Sequence, residues 1–163
     1  MQFALNNIKP RENKFNLTFN PPKYLDEYRD NIYIFQQFYI PKDDKRKKEI
    51  NECLKKNIKL KVVTKVVLLN EKHYTREEMD LTETEFNKIE EIIINNKLKY
   101  NIFFQIAQKY SGYVILANSD IFFDETLVNI YKTPLYYERS CFAQLRIEHN
   151  KKLFGPRSDS QDA

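Results

Sequence analysis

The sequence predicts an α/β protein with a Rossmann-like fold, in which helices flank a mostly parallel central sheet. Two segments rich in β-branched and aromatic residues, at 31–40 and 61–69, enclose a segment with helical periodicity. This strand–helix–strand order favours a crossover connection between parallel strands. A third apolar run begins at Tyr113, directly after Gly112, and is typical of a short strand that is buried on both faces.

The composition excludes several classes of protein and of site. With 163 residues, 42% of them hydrophobic and 31% charged, the chain fits one globular domain with its own core. Its two glycines are too few for a glycine-rich phosphate loop, and its two cysteines and two histidines lack the spacing of a zinc site. The net charge of +4 suits a nucleotide or a nucleotide-sugar as well as RNA. No apolar run approaches about 18 residues and no signal peptide is visible, which predicts a soluble, cytoplasmic protein without a membrane span.

The other elements follow from helix-start and turn signals along the chain. Residues 1–30 are polar and broken by prolines, which predicts a surface arm or an extra edge segment. Asp43 or Asp44 can cap the first helix, and Thr82 with Glu85 forms a capping box that opens another. Gly112 is placed to end a third helix. We expect helices at 43–57, 82–93, 100–110 and 125–131, and a further strand at 140–147.

Polar residues follow the third apolar run at the point where it ends. Asn118, Ser119 and Asp120 lie where open α/β sheets bind their ligands, beyond the carboxyl end of a strand. In an extended backbone Asn118 and Asp120 point the same way, and their oxygen atoms suit Mg²⁺ or Mn²⁺. The alternative is a turn that closes a core strand, with these side chains bonded to their own backbone. Both interpretations are open on this stretch alone.

Two glutamines interrupt the first predicted strand near its carboxyl end. Gln36 and Gln37 can hydrogen-bond the base or ribose of a nucleotide, or they can simply lie at the end of a strand. Asp124 is a further candidate ligand, with helix capping as its alternative role.

Taken in order, the motifs of the chain resemble a group of GT-A-type glycosyltransferases found in bacteria and large DNA viruses. The motifs are Ile34-Phe-Gln-Gln-Phe-Tyr39, Arg46-x-x-Glu49, Cys53-Leu-x-x-Asn57, Val67-x-Leu-Asn-Glu71, Lys97-Leu-Lys-Tyr100, Asn118-Ser-Asp-Ile-Phe-Phe-Asp124 and Asp159-Ser-Gln-Asp162. The resemblance covers residues 31–163, which implies a GT-A-like domain that binds a nucleotide-sugar, and it leaves residues 1–30 as an arm. No apolar element follows the last motif, so we expect the domain to be incomplete at its C-terminus.

The resemblance implies a metal-dependent transfer of a sugar from a nucleoside-diphosphate sugar to a hydroxyl of a glycan or protein acceptor, in the host cytoplasm if the protein is viral. In this family a D-x-D-type motif holds Mn²⁺ or Mg²⁺ on the donor diphosphate. Here Asn118 replaces its first Asp, which leaves Asp120 as the principal metal ligand and Asn118 as a second ligand or a ribose contact. Asp162 resembles the catalytic base of an inverting enzyme, and Asp159 is the alternative.

The resemblance also implies residues that contact the donor. Arg46 and Lys99 match basic positions near the phosphates or the sugar. Gln36 and Gln37 match positions near the nucleotide.

Three other functions compete with sugar transfer. One is a GT-A-like domain that binds the donor but is inactive, and another is a nucleotidyltransferase, which needs two or more metal-binding carboxylates. The third is a nucleic-acid-binding module. The aromatic residues lie inside apolar segments and are not interleaved with basic ones, which counts against a nucleic-acid partner.

Overall fold

Four strands form one parallel sheet. A computed structural model of the chain describes residues 31–133, together with residues 135 and 141. The strands are β1 (Ile32–Gln36), β2 (Lys65–Asn70), β3 (Ile89–Ile93) and β4 (Tyr113–Leu116), and they lie in the order β3-β2-β1-β4. All three strand pairs are parallel. This arrangement confirms the predicted α/β class and the Rossmann-like parallel sheet.

Four helical segments within residues 31–133 connect and follow these strands. They are α1 (Asp44–Lys59), α2 (Glu83–Phe86), α3 (Tyr100–Ala107) and a 3-10 helix at Glu125–Lys132. The predicted cap of α1 is confirmed, because Oδ1 of Asp43 accepts a hydrogen bond from the backbone N–H of Arg46 at 2.7 Å. None of the described helices is long and apolar enough to cross a membrane.

The two faces of the sheet are covered by different helices. Alternate residues of a strand point to opposite faces, so Ile34 and Phe35 of β1 belong to different clusters of the core. Ile34 packs in the cluster that contains the buried face of α1, including Ile50 and Leu54. Phe35 packs in the cluster that contains Phe103 of α3. Helix α1 therefore lies on one face and α3 on the other.

The prediction of a single helix over 82–93 is wrong. The capping box is present, since Thr82 and Glu85 exchange hydrogen bonds in both directions, but α2 ends at Phe86. Strand β3 follows within three residues and pairs along β2 from Val66 to Asn70. The isoleucines at 89, 92 and 93 fit a helical face, but they are β-branched and suit a strand that can pair with β2.

Strand β4 also differs from its prediction. It lies at one edge of the described sheet, and its residues from Val114 to Leu116 are half-buried. Gly112 does not end α3, which ends at Ala107. Gly112 has φ +131°, and a Cβ there would lie 2.4 Å from the carbonyl O of Asn31. The glycine is required where the chain passes the start of β1.

Several predicted features fall outside the described residues. They are the arm at 1–30, the strand at 140–147 apart from Cys141, and the two candidate base residues Asp159 and Asp162.

Candidate functional site

The strand order creates a topological switch point between β1 and β4. From β1 the chain proceeds outward through β2 to β3, and then returns to the other side of β1 to form β4. In open α/β sheets, ligands bind at such a point, in the crevice beyond the strand carboxyl ends. The N–H of Ala117 donates to the carbonyl O of Phe35 at 2.9 Å, so the segments of β1 and β4 remain side by side up to their carboxyl ends.

An arginine and an aspartate meet at this crevice although they are 74 residues apart. Nη1 of Arg46, in the first turn of α1, lies 3.0 Å from Oδ2 of Asp120 and 2.7 Å from Oε2 of Glu49. The side chain of Asp120 is 18% exposed and that of Arg46 is 36% exposed. A hydrogen bond with Tyr39, and then those with Glu49 and Asp120, raise the pKa of Arg46 above its ordinary value. The guanidinium of Arg46 therefore stays charged and lies beside the carboxylate of Asp120.

The segment after β4 is held in place by a buried asparagine of α1. Nδ2 of Asn57 donates to Oε1 of Gln36 and to the carbonyl O of Ile121, each at 3.0 Å. Oδ1 of Asn57 accepts the N–H of Phe123, also at 3.0 Å. Both Asn57 and Gln36 are fully buried. The bonds to Ile121 and Phe123 fix the backbone that immediately follows Asp120, and the bond to Gln36 ties the amide of Asn57 to β1.

A second buried amide fixes the loops after β1 and β2. Oδ1 of Asn70 accepts the N–H of Phe38 at 2.8 Å, and its Nδ2 donates to Oε1 of Glu91 at 2.7 Å. Glu91 accepts the N–H of Tyr74 at 3.2 Å through the same oxygen. Its Oε2 lies 2.7 Å from Nδ1 of His73. Polar side chains at this edge of the sheet thus point inward and hold loops.

Gln36 is one of these inward-pointing groups. It was predicted as a nucleotide contact, but it is fully buried, and among the described residues its Nε2 has no hydrogen-bond partner. Its observed contact is with Asn57, through which it helps to position the loop after β4. The neighbouring Gln37 is half-buried.

The Asn-Ser-Asp segment forms a turn, and the side chain of its aspartate contacts a residue outside the turn. The N–H of Ile121 donates to the carbonyl O of Asn118 at 3.0 Å, which is the bond of a β-turn. Asn118 is exposed, whereas Ser119 is 9% exposed. Asp120 bonds to Arg46 of another element. The segment is therefore a turn whose aspartate pairs with Arg46, and the metal site stays a prediction.

Two other candidates lie apart from this pair. Lys99 is exposed at the N-cap position of α3, on the opposite face of the sheet from α1, and within the described part of the chain no ion pair or hydrogen bond joins it to Arg46 or Asp120. Asp124 caps the 3-10 helix, and its side chain accepts the N–H of Thr126 at 2.9 Å. Hydrogen bonds from Thr126 lower the pKa of Asp124.

Asn57 and Glu91 hold loops at this edge of the sheet, a role that the sequence analysis assigned to neither of them, although Asn57 lies in one of the quoted motifs. For Asn57 a signal existed, since it falls on the same helical face as Ile50 and Leu54, and a polar residue on a buried face requires a partner. For Glu91 no such signal was visible, because its segment was interpreted as a helix and not as a strand.

The described residues at the crevice do not form a metal site by themselves, and a metal ion there would need further oxygen ligands from a bound molecule. Among residues 31–133, 135 and 141, no group of three His, Cys, Asp or Glu side chains could hold a metal alone. Cys53 of α1 offers no thiolate at neutral pH, because burial raises its pKa to about 11. Asp120 supplies one carboxylate, and Asn118 can add an amide oxygen. Magnesium in phosphate sites is commonly held by one or two carboxylates, with phosphate and water as the remaining ligands.

Two open grooves run along the exposed side of α1, with volumes of about 550 and 520 Å³. Neither is lined by Arg46 or Asp120. Both are lined by Lys55 and Asp80, whose ion pair at 2.5 Å joins α1 to the loop before α2. These grooves mark a charged surface between packed elements, and their lining provides no convergent set of ligand groups.

The crevice between β1 and β4 can therefore take both charges of a ligand complex. Arg46 can hold an anion, and Asp120 can hold a cation. Arg46 lies on helix α1, and the loop that carries Asp120 is held by the buried amide of Asn57.

Comparisons of the chain with protein families, with curated proteins and with solved structures found no match.

Proposed function

We propose that this chain is a metal-dependent glycosyltransferase of the GT-A type, which binds a nucleoside-diphosphate sugar between β1 and β4 and transfers the sugar to an acceptor hydroxyl. The observation that carries the proposal is the meeting of Arg46 and Asp120 at the switch point of the sheet. The motif order of the sequence supports the same donor.

Arg46 suits the diphosphate of such a donor. Its guanidinium contacts Glu49 and Asp120 through Nη1 and also hydrogen-bonds with Tyr39, and the side chain is 36% exposed. A guanidinium can bind a phosphate through two parallel hydrogen bonds. Arg46 also lies in the first turn of α1, where the free N–H groups and the helix dipole favour negative charge.

Asp120 and Asn118 would hold the divalent cation. When bound, such a cation neutralises the negative charge that develops on the diphosphate as its bond to the sugar breaks. The amide network of Asn57 and Gln36 holds the backbone after Asp120, and thereby fixes the position of its carboxylate relative to the donor.

The acceptor hydroxyl must lose its proton as it attacks the sugar. We assign this proton to the carboxylate of Asp162, with Asp159 as the alternative, on the sequence resemblance. A base on the side opposite the leaving group gives inversion of the anomeric centre.

A donor-binding domain without transfer activity is the second candidate. The observation that favours it is Asn118 in the first position of the metal motif, which leaves Asp120 as the one carboxylate of the turn. A weaker metal site would reduce the stabilisation of the leaving group while Arg46 could still bind the phosphates.

Calorimetric titration of the full chain with UDP and GDP, with and without Mn²⁺, tests the site. We expect metal-dependent binding of one nucleotide, weakened at least about tenfold in Asp120→Asn because the cation loses its charged ligand. Asp124→Asn is the matched control, since asparagine also caps helices and the same charge is removed four residues away. Binding that ignores both the metal and Asp120 would remove the basis of the proposal.

An assay for sugar release or transfer separates the two candidates. Turnover that is lost in Asp162→Asn, with nucleotide binding retained, supports the transferase. Tight, metal-dependent binding without turnover on any sugar donor of the bound nucleotide supports the inactive donor-binding domain.

A further inference from the structure

Before a ligand arrives, the two charged groups of the crevice are paired with each other, and the role inferred for this pair rests on the proposed function. The carboxylate of Asp120 is only 18% exposed and has a cationic partner within the chain, the guanidinium of Arg46 at 3.0 Å. A carboxylate that is largely withdrawn from water requires such a partner. Arg46 therefore occupies the direction from which a metal ion would approach the Oδ2 atom of Asp120.

Arg46 has a second partner that would remain if Asp120 were taken by a metal. Its Nη1 lies closer to Glu49, at 2.7 Å, than to Asp120, and Glu49 is on the same turn of α1. Glu49 is half-exposed, so this pair keeps contact with solvent. Departure of Arg46 from Asp120 thus leaves the guanidinium paired, and its flexible, partly exposed stem allows the movement.

A metal ion on Asp120 and the guanidinium of Arg46 would repel each other at contact distance. Like charges at a few ångströms disfavour joint occupancy of one partly buried site. A diphosphate removes the conflict, because it brings enough negative charge for both cations. Metal and nucleotide should then each raise the affinity of the other, as thermodynamic linkage requires.

We propose that Arg46 is an internal counter-ion of Asp120 that competes with the divalent metal and moves from Asp120 to the diphosphate when metal and nucleotide bind together. In the free protein the arginine keeps the carboxylate in position and suppresses binding of the metal alone. In the ternary complex Asp120 would hold the metal, which would neutralise charge on the phosphates, and Arg46 would bind the phosphates from the side of α1.

The test measures Mn²⁺ binding to the full chain by the loss of the free-ion electron paramagnetic resonance signal, with and without UDP or GDP. The central variant is Arg46→Met, which removes the charge and keeps most of the side-chain length. Arg46→Lys retains a charge at the site. Lys61→Met removes the same charge from an exposed turn that precedes β2, away from the carboxyl ends of the strands.

Removal of the competing charge should strengthen binding of the metal alone. For Arg46→Met we expect about fivefold tighter binding of Mn²⁺ in the absence of nucleotide. This factor corresponds to the free energy of a partly exposed ion pair. In the presence of nucleotide the same variant should bind the nucleotide about tenfold more weakly, since a phosphate contact is lost. Arg46→Lys should stay near wild type for the metal alone, and Lys61→Met should change neither affinity more than about twofold.

The outcomes distinguish this inference from the proposed function. If wild type shows nucleotide binding that depends on Mn²⁺ and on Asp120, but Arg46→Met binds Mn²⁺ alone no more tightly than wild type, competition is refuted and the proposed function stands. If Mn²⁺ and nucleotide bind wild type independently, the coupling is refuted. If Asp120→Asn leaves all binding unchanged, the site and the inference fail together.

Discussion

Replacing Asn57 with alanine tests whether the buried amide network holds the candidate site together. The change removes the three hydrogen bonds to Gln36, Ile121 and Phe123. Oε1 of Gln36 and the carbonyl O of Ile121 then lose a donor, and the N–H of Phe123 loses its acceptor. Asn51→Ala is a matched control on the same helix, because Asn51 is also buried but its Oδ1 has no partner among the described residues.

The expected loss follows from the bonds that are removed. Each unsatisfied buried group costs about 1 kcal/mol or more, so Asn57→Ala should lower the free energy of unfolding by about 2–4 kcal/mol. Alanine gains about 0.5 kcal/mol of helix propensity, but this gain is common to both variants and cancels in the comparison. Asn51→Ala should be neutral or slightly stabilising, because it removes an acceptor that is already unsatisfied.

Urea denaturation followed by circular dichroism measures the difference. At a typical slope of about 1–3 kcal/mol per molar urea, a loss of about 2–4 kcal/mol should place the midpoint of Asn57→Ala about 0.7–4 M below that of Asn51→Ala. Metal-dependent nucleotide binding should also weaken, since the loop after Asp120 loses its attachment. Unfolding free energies of the two variants within about 0.5 kcal/mol of each other would refute the structural role assigned to Asn57.

Three further predictions concern the scaffold. Gly112→Ala should lose about 2 kcal/mol or more in urea denaturation, because its φ of +131° and the 2.4 Å approach to Asn31 leave no room for a Cβ, whereas Ser111→Ala should not. Thr82→Ala should lose about 1 kcal/mol by the same measurement, and a neutral result would mean that the capping box does not stabilise α2. Glu85→Gln tests pH dependence: the N–H of Thr82 lowers the pKa of Glu85 below 4.5. The ionised carboxylate therefore stabilises the fold at pH values above 4.5, and this stabilisation is lost as the pH falls through the pKa of Glu85 in the folded state. The urea midpoints of wild type and Glu85→Gln should differ at pH 7 and converge in acid; a constant gap would contradict this sign.

Local signals in the sequence were sufficient where both partners lie within one turn. Asp43 caps α1 as predicted, and Thr82 with Glu85 forms the predicted capping box. In each case the donor and the acceptor are three residues apart, so no distant part of the chain is needed to decide the geometry. The strand–helix–strand order was likewise sufficient to predict a parallel sheet.

Tertiary pairing decided what the sequence left ambiguous. Residues 89–93 fit both a helical and a strand pattern, and their pairing with β2 selects the strand. The same ambiguity affects the polar strand ends. The sequence predicts amide side chains at the carboxyl ends of the strands. Whether Gln36 points to a ligand or to the core, however, depends on its contact with Asn57, 21 residues away. The Arg46–Asp120 pair was predicted as two separate candidates, because nothing local joins them.

The position of β1 between β2 and β4 has a consequence for the order of folding. Strand β1, helix α1 and strand β2 are contiguous in the chain and can associate through a short connection. Strand β4 must return across the intervening elements to the free side of β1, and the entropy lost in closing a loop grows with its length. We therefore expect the β1–α1–β2 unit to form first and β4 to dock late. Contact between Arg46 and Asp120, separated by 74 residues, would then report the completion of folding, and a newly made chain would gain its binding crevice only in the last step.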